Sequence, residues 1–276
     1  MSSTTREHQG RRADVWLRWL ARAGFVAEGL IYLLIGGLAL AAAFDRTQHP
    51  SGSNGAVSKL AHVPLGHVML VLLALGLAAY VLWQLMLTVL DPECQKGRWR
   101  IQRIVVRIHH LWSAALHCVL VAIVAGQILG FGHSSDNGQA QKQLTAMALE
   151  HPGGRWLVSG IGVGIVVFAL VQWVLACRPQ KGTRMDLTDT PLRAPILVLL
   201  VLSYVARGAL FGLIGALLMQ AGWQQNPSPT AGISGALRSM RQQPYGPWLL
   251  GAVAVGLIAF GLAQIAKARY RRIPSD

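Results

Sequence analysis

Polar side chains that could do chemistry lie inside long apolar stretches of this sequence. They are one acid, one arginine, one serine, two histidines and three glutamines: Glu28, Arg207, Ser113, His110, His117, Gln84, Gln172 and Gln264. Glu28 follows Arg22 by six residues and Gln84 precedes Asp91 by seven, which places both about 9–10 Å from a charged segment at 1.5 Å per residue. We therefore predict a polar tier, formed by these eight residues at one depth of a helix bundle.

Three functions are open to the polar tier. In the favoured one, Glu28 and Arg207 form a buried ion pair and the glutamines tie helices together, since charges inside a membrane are expected to be matched. In the second, the tier lines a cavity open to the cytoplasm and binds or passes a proton, an ion or a small polar solute. In the third, His110 or His117 binds haem iron, although two axial ligands normally come from facing helices.

Other chemistry finds little support. The chain has no P-loop, no Gly-x-Ser-x-Gly, no dinucleotide fingerprint and no paired carboxylates. Cys94, Cys118 and Cys177 have no partners at metal-ligand or disulfide-framework spacing, and the loop histidines match no metal motif. We predict a non-enzymatic protein with no cofactor and no bound metal.

Composition identifies the elements that must position the tier. Of 276 residues, 53% are hydrophobic and 13% are charged, against about 25% charged in an ordinary soluble domain. Six apolar stretches cover residues 19–44, 65–90, 105–131, 154–176, 195–221 and 245–266. Each is long enough to cross a hydrocarbon core of about 30 Å as a helix. Continuous apolar character without period-2 alternation favours helices over a barrel.

Charge distribution predicts the orientation. Eighteen of the 25 Lys and Arg flank one end of the predicted helices, and cation-rich loops are typically cytoplasmic. We predict a bacterial inner-membrane protein with both termini in the cytoplasm and an unknown protein partner. We interpret the net charge of +14 as cations that lie against anionic lipid headgroups rather than as a surface that binds nucleic acid.

A motif occurs three times along the chain. Its pattern is Pro-x-Gly, a glycine ten residues on, an aromatic residue four later and a glutamine after four more. Its proline and glycine positions are Pro64, Gly66, Gly76, Pro152, Gly154, Gly164, Pro244, Gly246 and Gly256. Proline suits the first turn of a helix, so each is expected to begin one, and the glycines are expected to allow close helix contact.

The helices that precede these motifs also correspond to one another. Ala27-Glu28-Gly29-x-x-Tyr32 matches Ala206-Arg207-Gly208-x-x-Phe211, and the third predicted helix has diverged to Trp112-Ser113-Ala114-x-x-His117. A short, partly amphipathic stretch before each proline, at 55–63, 144–151 and 235–243, predicts a short interfacial helix. The pattern predicts parallel two-helix repeats related by an axis along the membrane normal.

This repeated pair resembles the bacterial integral membrane proteins grouped as domain of unknown function 1206, from Leu20 to Ala268. The resemblance implies three tandem two-helix units and no assigned reaction. The family pattern favours a basic residue before the first-helix glycine, as at Arg207, whereas this chain has Glu28 there.

The predicted fold is an all-α membrane protein of six transmembrane helices, arranged as three parallel two-helix repeats with pseudo-threefold symmetry. The predicted segments are a mobile cytoplasmic N-terminus, three repeats, two cytoplasmic loops and a tail. In chain order they are 1–17, 18–91 (first repeat), 92–103 (loop), 104–178 (second repeat), 179–194 (loop), 195–268 (third repeat) and 269–276.

Overall fold

The computed structural model describes residues 3–45, 50–89, 100–130, 139–179, 185, 190–230 and 232–270. The described helices occur three times as a long, a short and a long helix in succession, and this confirms the all-helical class. They are α1 Ser3–Phe44, α2 Ser53–Ala61, α3 Gly66–Val89, α4 Arg100–Ile128, α5 Gln139–Leu149, α6 Gly154–Cys177, α7 Arg193–Gln224, α8 Ile233–Arg241 and α9 Gly246–Tyr270. Because α1 begins at Ser3, most of segment 1–17 is helical; its predicted mobility is not tested.

Among the described residues, five helices are long and apolar enough to cross a membrane: residues 19–44 of α1, and α3, α6, α7 and α9. The helix α4 differs, because Arg100, Arg103 and Arg107 occupy its first part and its apolar part is only Ser113–Ile128. Those residues rise about 24 Å, less than the roughly 30 Å of a hydrocarbon core. The third predicted span, 105–131, therefore stays a prediction.

A type II turn precedes α3, α6 and α9. The motif glycine donates its N–H to the carbonyl three residues earlier at 2.8–2.9 Å. The residue between proline and glycine has a positive φ, which is 63° at Leu65, 84° at Gly153 and 61° at Tyr245. Proline second and positive φ third are the marks of this turn. The prediction that each proline lies in the first helical turn is therefore wrong. Each of the three prolines lies two residues before its helix begins: Pro64, Pro152 and Pro244.

The glycine that follows this turn leaves room for the preceding short helix. A Cβ at Gly66 would clash with the carbonyl oxygen of Leu60 in α2, and a Cβ at Gly154 or Gly246 would clash with a carbonyl oxygen near the end of α5 or α8. The short helices lie at the three places where the sequence predicts them. Each short helix thus ends in a turn that leads directly into a long one.

The long helices pack in a cyclic order that is open at one place. Between repeats, α4 packs on α3, α7 on α6 and α1 on α9. Within repeats, α1 packs on α3 and α7 on α9, but in the described residues α4 and α6 make no comparable contact. The pair that would close a threefold ring is thus missing, and the exact pseudo-threefold arrangement stays a prediction.

Equivalent aromatic rings meet at each interface between repeats. Ring centroids are 4.5 Å apart for Tyr32 and Phe260, 4.4 Å for Tyr80 and His117, and 5.2 Å for Phe168 and Phe211. Each pair joins the aromatic position of the Pro-x-Gly motif to the last position of the first-helix motif. The three interfaces therefore share one packing scheme at the level of the polar tier.

Contacts within repeats depend on the second motif glycine. A Cβ at Gly76 would clash with Cβ of Ala27, and a Cβ at Gly256 would clash with Cβ of Ala206. At the equivalent Gly164, no described atom lies within 4 Å of such a Cβ, so the close contact predicted for this glycine is not seen. In the first and third repeats the two long helices therefore touch at this point. In the second repeat the described residues leave a gap there.

The centre of the bundle is the pair α1 and α9. Cβ positions built at Gly29 and Gly261 would lie 2.8 and 2.7 Å from the carbonyl oxygen of the other glycine. Such close backbone contact lets helices associate by van der Waals packing. Leucine, isoleucine and phenylalanine side chains fill the adjacent core, among them Ile31, Leu257 and Phe260. This interface holds Glu28 in place.

Candidate functional site

Glu28 lies at the centre of a buried polar cluster to which all three repeats contribute. The side chain extends from α1 and the residue is 2% exposed. Gln264 of α9 donates a hydrogen bond from Nε2 to one carboxylate oxygen. His117 of α4 places Nε2 3.4 Å from the other. One carboxylate therefore connects the first repeat to the second and to the third.

The imidazole of His117 is held in one orientation by its own helix. Its Nδ1 donates a hydrogen bond to the carbonyl oxygen of Ser113 at 2.7 Å. A carbonyl only accepts, so Nδ1 carries a hydrogen and Nε2 faces Glu28. The ring also stacks on Tyr80 of α3 at a tilt of 43°. Protonation of Nε2 would make this contact an ion pair.

A second set of contacts continues from Tyr80 towards the helix ends. Gln84 donates from Nε2 to the Tyr80 hydroxyl at 3.4 Å, and His110 donates from Nδ1 to Oε1 of Gln84 at 3.3 Å. Both distances are long for hydrogen bonds. They join α3 to α4 and extend the cluster from Glu28 to the partly exposed His110.

Arg207 lies in a box of aromatic rings. Its guanidinium carbon is 4.2 Å from the ring centroid of Phe260, 5.5 Å from Phe211 and 5.8 Å from both Tyr32 and Phe168. These distances are in the range of cation–π interactions. Among the described residues, the basic group within 4 Å of the Glu28 carboxylate is the imidazole of His117, and no salt bridge joins Glu28 to Arg207. The sequence-based pairing of these two charges is therefore not the contact seen.

The remaining predicted members of the polar tier lie apart from this carboxylate. Gln172 is buried on α6, and no hydrogen bond joins it to Gln84 or Gln264 among the described residues. Ser113 contributes its carbonyl to His117, and its side chain is near Tyr80. The three glutamines thus do not meet one another, and each lies on a different helix.

Sequence reasoning missed the aromatic contribution to this site. Tyr80 and Phe260 were recognised as motif positions but not as contacts of His117 and Arg207. The signal was available, because both precede a motif glutamine by four residues and so share its helix face. In this chain, that shared face packs against His117 at Tyr80 and against Arg207 at Phe260.

The described residues contain no group of three His, Cys, Asp or Glu side chains that could hold a metal ion. Both nitrogens of His117 face protein oxygens. An axial ligand of haem needs a free imidazole nitrogen, so this histidine could bind iron only after losing Glu28.

Comparison with known proteins agrees with the repeat architecture. The family model described as Domain of Unknown Function (DUF1206) matches three segments, 23–91, 109–178 and 202–271. The chain belongs to the DUF1206 family. The predicted family is thereby confirmed, and each matched segment of this DUF1206 chain holds one first-helix motif and one glutamine of the polar tier.

A Bacillus subtilis (strain 168) protein named "Uncharacterized protein YxxB" is similar to this DUF1206 chain over almost its full length. The two are 30% identical over 267 residues, which are 94% of this chain and 92% of that protein. No solved structure matches the DUF1206 chain.

Proposed function

We propose that this DUF1206 chain is a multi-pass membrane protein with a structural or accessory, non-enzymatic role, in which Glu28 locks the three repeats together. The observation that carries the proposal is the convergence of α1, α4 and α9 on one buried carboxylate. Replacement of a buried charge's partner is strongly destabilising because the remaining charge is left unmatched. Glu28 therefore couples the position of each repeat to the other two.

The membrane arrangement in this proposal has six spans in the bacterial inner membrane, with both termini in the cytoplasm. Five long apolar helices support it. The helix α4 crosses as the sixth because it packs on α3 and places His117 at the level of Glu28. The three repeats surround one pseudo-threefold axis, and the cation-rich loops lie against anionic headgroups.

Burial favours a lock over a water-filled cavity at the same level. Glu28 and Gln264 are each 2% exposed, and Gln84 and Gln172 are also buried. A channel or transporter that passed a solute through this level would need several of these groups to be solvated. The glutamines instead lie between neighbouring helices, as expected for groups that hold helices together.

The lock is tested by a matched pair of substitutions at equivalent repeat positions. Glu28→Ala leaves His117 and Gln264 without their shared partner. We expect it to lower the free energy of unfolding by about 3–5 kcal/mol. Ser113→Ala is the control at the equivalent position of the second repeat, and we expect a loss of about 1 kcal/mol or less. Denaturant titration of the purified chain in micelles measures both, and equal losses would contradict the lock.

A double-mutant cycle identifies the partner of Glu28. Glu28→Gln combined with His117→Phe should show a coupling free energy of at least about 1 kcal/mol. Glu28→Gln combined with Arg207→Gln should show less, because the guanidinium packs on rings rather than on the carboxylate. Ion flux through proteoliposomes that disappears in a stably folded Glu28→Gln variant would reject the lock in favour of transport.

A further inference from the structure

Arg207 carries a positive charge within the bundle, and no described residue accepts a hydrogen bond from its guanidinium. Nε is buried and has no hydrogen-bond partner. The rest of the side chain is partly exposed rather than sealed. A guanidinium has five N–H donors and no acceptor. The aromatic rings around it stabilise its charge but accept no conventional hydrogen bond, so the buried Nε–H has no acceptor among the described residues.

The local charge also points to a missing anion. Lys267 places Nζ 5.8 Å from the ring centroid of Phe260, the ring on which Arg207 packs. Both cations lie within electrostatic reach of Glu28, the one acidic residue of this cluster among the described residues. Two cations beside one ring would attract an anion to their neighbourhood.

Glu28 does not supply the acceptor that Arg207 lacks. One of its oxygens accepts from Gln264 and the other faces His117. Bringing the carboxylate to the guanidinium would break these contacts. Among the described residues, Glu28 is therefore not the acceptor for Arg207.

Among the described residues, α4 and α6 make no contact comparable to those of the other helix pairs. Gly164 on α6 has open space where the equivalent glycines meet a neighbouring helix. Phe168, one wall of the aromatic box, lies four residues later on the same face of α6. Because Gly164 is exposed and Phe168 is partly exposed, this side of the aromatic box is not sealed by the described residues.

We propose that Arg207 and the aromatic box bind an oxyanion, a phosphate or carboxylate group that enters between α4 and α6. A planar guanidinium matches two oxygens of such a group with parallel hydrogen bonds. A phosphate group can come from free phosphate or from the headgroup of an anionic lipid. This site is independent of the proposed lock, because it uses no hydrogen bond of Glu28.

Inorganic phosphate is the first probe. The full chain, purified in a phosphate-free maltoside detergent, is titrated with phosphate against chloride at constant ionic strength. Heat of binding and thermal unfolding are measured. We expect a saturable response in the wild type that is lost in Arg207→Gln. Arg155→Gln is the matched control, because Arg155 also lies on aromatic rings, 4.8 Å from Trp156 and 5.8 Å from Trp223. It should respond like the wild type.

A response that persists in Arg207→Gln, or that is lost equally in Arg155→Gln, would overturn the proposal. If Arg207→Gln does not fold, Arg207→Lys keeps the charge and removes the two-donor geometry. It should bind phosphate about tenfold more weakly, and unchanged affinity would also overturn the proposal.

Native mass spectrometry separates the two sources. A phospholipid that remains on the wild type, is displaced by phosphate and is absent from Arg207→Gln identifies the headgroup as the ligand. Phosphate binding without retained lipid identifies free phosphate. Neither retained lipid nor a saturable phosphate response in the wild type would reject the site. Normal stability of Glu28→Ala with intact phosphate binding would reject the lock alone.

Discussion

The first and third repeats differ from the second in how their two long helices meet. In the first and third, a glycine of the second helix packs against an alanine of the first, at Gly76 with Ala27 and at Gly256 with Ala206. In the second repeat, Gly164 faces open space. The sequence has Trp112 where the other repeats have alanine. Close approach of two helices needs small residues on both of them, and one glycine alone is not sufficient.

This difference changes the environment of α6. Only 17% of its apolar span is buried, against 56% for the span of α1 and 61% for α9. Among the described residues, α6 is attached to the long helices through α7, and no other long helix packs on it comparably. A local change in residue size thus accompanies a change from a closely packed helix pair to an exposed helix.

The largest expected effect comes from adding one methyl group at the closed glycines. Gly256→Ala places Cβ against Cβ of Ala206 and should lower the free energy of unfolding by about 3 kcal/mol, near the upper range for overpacking. Gly164→Ala adds the same group where no described atom lies within 4 Å. It should leave the free energy of unfolding unchanged or raise it by up to about 1 kcal/mol, because alanine is favoured over glycine in a helix. Thermal unfolding of both purified variants measures the difference. A comparable loss at Gly164 would show that α4 closes on α6 in the membrane.

A smaller effect is expected when the methyl group is moved from one helix to the other. Combining Gly256→Ala with Ala206→Gly removes the clash, so most of the loss should be recovered. The remaining deficit should be below about 1 kcal/mol, because the helix penalty of the new glycine at 206 is offset by the glycine removed at 256. The same unfolding assay on the two single variants and the double variant gives the coupling. Additive losses would mean that this contact does not hold the repeat together.

The smallest effect concerns the turns at the opposite end of the repeats. Leu65 and Tyr245 adopt a positive φ, whereas the second repeat has Gly153 there. Leu65→Gly relieves a strained backbone and should raise the free energy of unfolding by up to about 1 kcal/mol. Gly153→Ala introduces that strain and should lower it by a similar amount. Shifts in the thermal midpoint check both signs. A destabilising Leu65→Gly would indicate that the exposed leucine contributes by its side chain.

Much of this architecture could be predicted because lipid restricts the backbone to a few solutions. Apolar length identified helices, and repeated spacing identified three units. The glycines at positions 76 and 256 were predicted as close contacts and are so. The prolines were assigned to the wrong side of the helix start, because proline is compatible both with a first helical turn and with the second position of a type II turn.

The candidate site was harder to predict. Depth along the chain placed Glu28, His117 and Gln264 at one level, but several residues at one level can pair in different ways. The structure brings these three together and directs Arg207 towards aromatic rings. Opposite charge made Glu28 and Arg207 the obvious pair, yet helix rotation sets which side chains meet.

The sequence by itself determined the helical class, the three repeats and the level of the polar groups. These properties follow from apolar length and periodic spacing along the chain. Only the tertiary structure decided that α4 and α6 do not pack together, that three helices meet at Glu28 and that Arg207 faces rings. Such properties depend on how helices rotate and approach one another, which rests on the size and shape of side chains on both partners.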